Sequence, residues 1–234
     1  MLCDIQSFRK SILSGWKLVS ARADLINHIR GTLKTAGERI PKCSAPSFHK
    51  KAKEHIPEEL KNAILPLLDQ LQKLTETIKN YDKHINKMSQ DKYPETEVLK
   101  QVQGVGPVTA LTFVLTLENK ERIQKSRNVG PMLGLTPRRD QSGDLDKKQL
   151  PITKCGNKYL RQLLVGCAHY ILGAFGEDSD LRRYGLRICE HGGKTAKKKA
   201  VVAVARKLAV LLHRLWVTGE VYDPLYNQKT KKAA

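Results

Sequence analysis

The chain has 234 residues, 40% of them hydrophobic, enough for one large domain or two small ones and too many for a disordered chain. Forty-two Lys and Arg against twenty-three Asp and Glu leave a formal charge of +19, with a sequence pI near 9.8, so the expected partner is a polyanion. Five cysteines without CxxC spacing indicate neither a disulfide framework nor a zinc site. No run approaches the ~20 apolar residues of a membrane span, and MLCDIQSFRK has no signal-peptide core, so a cytoplasmic chain with no membrane partner is expected. Net charge alone leaves a ribosome-like or membrane-surface basic protein open.

In chain order, residues 16–35 place Leu18, Val19, Leu25, Ile26, Ile29 and Leu33 on one helical stripe, with Gly37 as a C-cap and Arg22, His28 and Arg30 on other faces. The following PKCSAPSFHKKAKEHIP reads as a connector. From Leu60 the apolar residues fall at Ile64, Leu67, Leu71, Leu74, Ile78, Tyr81, Ile85 and Met88, the 4-3 alternation of a coiled-coil seam. Residues 60–88 are therefore expected to hold a homo-oligomer together, the alternative being an antiparallel hairpin with the 16–35 helix. Pro66 should kink or shorten the first turn.

VLKQVQGVGPVTALTFVLTL then has the form of a helix-hairpin-helix. Gly104 and Gly106 would allow close backbone approach, Pro107 suits the first helical position, and Thr109 lies in the second helix's first turn, facing a DNA phosphate. A tight helix–helix corner would give the same string. The stretch LTPRRDQSGDLDKK has no apolar period. It is followed by a strand or loop at Leu150 to Thr153, a turn and cap to Gly156, and a helix from Lys158 burying Leu160, Leu163, Leu164, Cys167, Ala168, Ile171 and Leu172. A basic stretch leads to a last helix running to about Val217, with Val202, Ala205, Leu208, Ala209, Leu212 and Leu215 inward. Between Arg182 and Arg214 there are ten Lys or Arg and one acid, Glu190, an imbalance that places this surface against phosphates. Lys197 and Lys198 are its named candidates, although a lysine-rich helix start is also an ordinary solvated face.

The acids at Asp140, Asp144 and Asp146 do not have the spacing of a calcium loop, and no set of carboxylates is grouped for Mg²⁺. Serine chemistry needs a hydroxyl among cations that stabilise charge on phosphoryl oxygens. Ser142 has Arg138 and Arg139 shortly before it and Gly143 after it, which permits that role, while the local pattern by itself is most economically that of a turn.

Taken in order, LVSARADLINHIRGTLKTAG, QVQGVGPVTALTF, VGPMLGLTPRRDQSGD, ITKCGNKYLRQLLVGCAHY and AVARKLAVLLHRLWVTGEVYD resemble the C-terminal two-thirds of the DEDD-type insertion-sequence transposases, bridge-RNA-guided serine recombinases, over residues 16–226. The resemblance implies a mainly α chain: an N-terminal helix and coiled-coil arm over 1–95, a compact helical transposase domain with a helix-hairpin-helix-like motif over 96–226, and a basic tail from 227. It implies DNA transposition with Ser142 as nucleophile; Arg138, Arg139 and Arg161, by proximity to Ser142 or to the GNxxLR motif, join Gly104, Gly106, Thr109, Lys197 and Lys198 as expected nucleic-acid contacts. The partners implied are DNA and a guide RNA. The RuvC-like acidic domain that binds Mg²⁺ should precede the 16–35 helix, before which only fifteen residues stand. The expectation is therefore a chain that binds no cofactor itself, and the alternative is a non-catalytic nucleic-acid-binding remnant.

Overall fold

The computed structural model describes residues 2–138 and 150–227. Ser142 and Arg139, with the acids at 140, 144 and 146, lie outside the described residues, as does the tail from 228. The described chain is mainly α, and its only β pairing is an isolated antiparallel bridge between Pro137 and Ile152. No described helix is long and apolar enough to cross a membrane. The chain divides into two compact units, residues 1–88 and 89 onward.

The first unit is built on two long helices, α1 (Leu2–Thr35) and α3 (Lys61–Lys92), the latter continuing into the second unit. Helix α1 is extended well upstream of its apolar stripe and stops as the sequence predicts. Gly37 takes φ 86°, its N–H bonds to Lys34 O and the Glu38 N–H to Leu33 O, a Schellman closure. Helix α3 runs through Pro66, which supplies no N–H to the Asn62 carbonyl; Asn62 is exposed, so water can take that bond.

Ile64, Leu71, Ile78 and Ile85 of the 4-3 seam are buried, while Leu67, Leu74 and Tyr81 are only half-buried. The second buried line is Leu68 and Thr75, one residue beyond the expected Leu67 and Leu74. Ile29 and Leu33 of α1 share a core with Ile64, Leu68 and Leu71, and Tyr81 lies against Gly15. Those two meetings require α1 and α3 to run antiparallel, so the seam is used inside the chain.

The expected connector is a packed element instead. Helix α2 (Phe48–Lys53) buries Phe48 and Ala52, and Ile40 and Ile56 join the same core. Arg30 holds it in place: its guanidinium lies 5.0 Å over the Phe48 ring and bonds Ile40 O at 3.2 Å. Phe48, Ala52 and Ile56 have helical spacing, which the Lys, His and Pro around them hide.

In the second unit, α4 (Thr96–Lys100) and α5 (Pro107–Leu117) are joined by the Gly104 to Gly106 turn. Next come the short α6 (Val129–Met132), α7 (Lys158–Leu172), α8 (Asp180–Cys189) and α9 (Gly193–Thr218). The stripe predicted for α9 is inward at Ala205, Leu208, Ala209, Leu212 and Leu215. These residues form one core with Phe113, Val114, Leu160, Leu164 and Ala168. The basic stretch after Gly176 contains a helix of its own, α8, capped by Ser179, whose hydroxyl accepts the Arg182 N–H. Gly185 lets α8 pack closely, since a Cβ there would stand 2.5 Å from Leu172 and 2.6 Å from Val204.

Candidate nucleic-acid interface

The residues flanking 139–149 are fixed by backbone contacts. The Arg138 N–H bonds Pro151 O, the Thr153 N–H bonds Thr136 O and the Lys154 N–H bonds Gly134 O. Chain ends at 138 and 150 are thus brought side by side. Below this ladder two glycines let backbones cross. A Cβ on Gly134 (φ 66°) would stand 2.3 Å from Cys155 N, and one on Gly156 (φ 73°) 2.2 Å from Met132 O. Neither position accepts a side chain without moving main chain.

The GNxxLR string resolves into structural parts. Gly156 makes the crossing, Asn157 caps α7 by accepting the Leu160 N–H at 2.9 Å, and Leu160 is fully buried. Arg161 sends one guanidinium nitrogen to Leu133 O at 2.9 Å and Cys155 O at 2.7 Å, tying the two crossing loops together. Arg161, expected as a phosphate ligand, commits one of its guanidinium nitrogens to this clamp. Arg182 does similar work at the end of α7, donating to Ile171 O and Gly173 O.

The turn residues separate in the same way. Gly104 (φ 89°) faces inward, where a Cβ would stand 2.9 Å from the Tyr170 ring. Thr109 is buried, its hydroxyl 3.6 Å from Cys167 Sγ. Burial pushes the Cys167 thiol pKa up, the Thr109 contact opposing it. Gly106 alone is exposed with open space around it, at the N-terminus of α5. Of the three residues expected to face phosphate, Gly106 is exposed, Gly104 half-buried and Thr109 buried.

A groove of about 2080 Å³ runs along α8 and α9, bounded on one side by the 135–137 and 150–152 ladder and on another by residues 220–227. Its lining includes eight cations, Arg127, Arg183, Arg187, Lys198, Lys199, Arg206, Lys207 and Arg214, against three acids, Asp180, Glu220 and Asp223. Lys198 is in this wall; Lys197 is exposed but not part of it, and Arg138 is exposed at the end of the ladder.

The acids are largely engaged. Asp180 accepts from the N–H and side-chain amide of Asn227, Glu220 pairs with Arg214 at 3.2 Å, and the Tyr222 N–H bonds Gln101 Oε1. Together with the Asp180 N–H bond to Pro224 O, these contacts strap residues 220–227 to the domain. Burial raises the Tyr222 pKa, with Asp180 and Asp223 adding to it. Lys207 sits 3.7 Å over the Tyr184 ring; burial lowers its pKa and Arg187 adds to the shift. Arg183 pairs with Asp178. Outside the groove, buried His213 accepts at Nδ1 from the Ser126 hydroxyl and donates from Nε2 to Lys120 O, and burial holds its pKa down.

Sequence reasoning missed Tyr184, Arg187, Arg206, Lys207 and the 220–227 strap. The signal present was the charge imbalance between 182 and 214; which cations share a wall is decided by the α8–α9 packing. Among the described residues no group of three His, Cys, Asp or Glu is placed to hold a metal ion.

A helical domain that presents a cationic groove beside a chain crossing closed at its base is suited to a polyanion, and its sequence is similar to those of transposases. Residues 96–184 match the IS116/IS110/IS902 transposase family. The chain is 27% identical over 214 residues to the transposase for insertion sequence element IS1111A of Coxiella burnetii, covering 88% of this chain and 57% of that protein. It is 25% identical over 218 residues to a Pseudomonas aeruginosa protein described as "Probable family 20 transposase", covering 89% of this chain and 62% of that protein. It is also 28% identical over 126 residues to the pilin gene-inverting protein of Moraxella lacunata, covering 54% and 38%. The chain therefore spans about three fifths of the length of the first two relatives. The family match ends in α8, so α9 and the strap that complete the groove lie beyond it.

Proposed function

We propose that this chain acts in DNA transposition or recombination, holding DNA in the groove of the second unit while Ser142 attacks a phosphodiester. The observation that carries the reading is the Pro137–Ile152 pairing, which places the described residues flanking 139–149 at the wall of a groove lined by eight cations. Phosphates bring the negative charge that such a wall lacks. The Ser142 oxygen would form a bond to phosphorus as a P–O bond to sugar breaks, the departing sugar oxygen taking the proton that the hydroxyl gives up. Arg138 and Arg139, adjacent in sequence, are suited to the charge that builds on the phosphoryl oxygens.

The family resemblance adds Mg²⁺ held by an acidic domain, a guide RNA and assembly of several copies, and these belong to the same proposal. The described residues offer no carboxylate cluster for the ion, so no step is assigned to it here. Gly106 at the start of α5 supports a further DNA contact of the helix-hairpin-helix kind, because its backbone is exposed.

The test is to trap a covalent adduct using element-end DNA, Mg²⁺, guide RNA and a protein supplying the acidic domain. An adduct that disappears in Ser142→Ala while salt-sensitive binding persists is expected. An adduct that survives the substitution, or none with the wild-type chain, overturns the serine assignment.

A further inference from the structure

We propose that the groove between α8, α9 and residues 220–227 receives an unpaired strand of DNA, its bases on Tyr184 and an aliphatic floor and its phosphates on Arg187, Lys198, Lys199 and Arg206. This deepens the reading of the chain as a DNA recombination protein and rests on it.

The composition of the lining carries the inference. Ile188, Val202, Val210 and Leu211 lie among the cations of one wall. Val202 and Leu211 are half-buried side chains at the edge of the main core, so the floor is fixed by packing. A duplex keeps its bases stacked inside and offers a protein its phosphates, sugars and groove edges. Thymine methyls at a groove edge are its main apolar contact, and the base faces that could lie on an aliphatic floor stay stacked away. An unpaired strand has bases for the floor and phosphates for the cations, the combination found in single-strand grooves.

Tyr184 adds a ring to that floor, with the Lys207 ammonium 3.7 Å over one face. A second tyrosine, Tyr226, also lines the groove and lies 5.7 Å from the Arg214 guanidinium. The acids of the strap do not cancel the field: Asp180 is bonded to Asn227 and Glu220 to Arg214. Arg187, Lys198, Lys199 and Arg206 make no ion pair with the described residues, leaving their charge for a ligand. DNA is assigned as the strand because the groove shares its Pro137 and Ile152 wall with the crossing that flanks Ser142, where the proposed chemistry opens DNA.

The experiment measures binding of four labelled probes by fluorescence polarisation: oligo(dT), an abasic sugar-phosphate strand of equal length, a DNA duplex, and oligo(U). With wild-type protein, oligo(dT) is expected to bind roughly ten-fold tighter than the abasic strand, the scale of stacking for a base or two. Tyr184→Ala should weaken oligo(dT) by roughly ten-fold and leave the duplex and abasic strands within about two-fold, while Tyr184→Phe binds as wild type. Equal affinity for oligo(dT) and the abasic strand overturns the proposal without needing any variant. So does duplex binding with the same Tyr184 dependence, and tighter binding of oligo(U) overturns the assignment to DNA. Loss of the base preference with salt-sensitive binding intact sinks this inference alone; absence of binding to every probe sinks the broader functional reading too.

Discussion

Gly134→Ala should be among the most damaging single-methyl additions in the chain. The residue takes φ 66°, and an added Cβ would stand 2.3 Å from Cys155 N, 2.5 Å from Cys155 O and 2.7 Å from Lys154 C. An L side chain in the left-handed region costs about 1–2 kcal/mol. The clash is with backbone, so the 154–156 turn must move, taking with it the Lys154 N–H bond to Gly134 O and the Arg161 bonds to Leu133 O and Cys155 O. Hydrogen bonds from a charged group contribute about 1.5–3 kcal/mol each, and weakening them brings the total to roughly 3–5 kcal/mol. At about 3 °C per kcal/mol for a domain of this size, the melting temperature should fall by about 10 °C or more. The control is Gly106→Ala, where nothing lies within 4 Å and φ is −87°, and little change is expected. Thermal unfolding followed by circular dichroism measures both. A Gly134→Ala protein melting within about 2 °C of wild type would refute the crossing as described.

The unfolded imidazole titrates near 6.5, and burial lowers the His213 pKa in the folded state, so the unfolded chain takes up the proton first as pH falls. The His213 contribution is therefore fully present above about pH 6.5 and is lost below it. Urea titrations in that range should show His213→Gln with a shallower loss of stability than wild type. Asn157→Ala should cost about 1 kcal/mol through loss of the α7 cap and Asn157→Asp much less, by the same titrations. Arg161→Gln should lower stability while leaving the salt dependence of DNA binding unchanged, because its guanidinium is tied to carbonyls; a shallower salt slope would return Arg161 to the phosphate contacts.

Periodicity made the helices legible. The α7 and α9 stripes and the Gly37 closure stand where the apolar spacing and turn chemistry put them. The 60–88 seam was legible as a helix face but not in what covers it, since a 4-3 pattern serves an intrachain hairpin and a dimer equally. In this chain α1 supplies the cover for Ile64 and Leu71. The 41–57 stretch was misread because its three anchors, Phe48, Ala52 and Ile56, are separated by lysines, histidines and Glu54 and flanked by Pro41, Pro46 and Pro57, which dominate local composition. For the candidate site, charge between 182 and 214 pointed to the surface on which the groove lies. Which arginines serve it was not legible, because Arg161 and Arg182 differ from Arg187 and Arg206 only in the carbonyls that happen to lie within reach. Tyr184 and the strap enter the groove through tertiary packing that no local pattern encodes.

The groove as the surface that meets a polyanion is tested most directly by the salt dependence of binding. Wild type and the quadruple variant Arg187→Gln, Lys198→Gln, Lys199→Gln and Arg206→Gln should be compared on single-stranded DNA across a range of salt concentrations. If these side chains displace counterions from phosphates, the slope of log K against log salt should flatten by about 3. An unchanged slope in a folded variant would contradict the placement of nucleic acid in this groove.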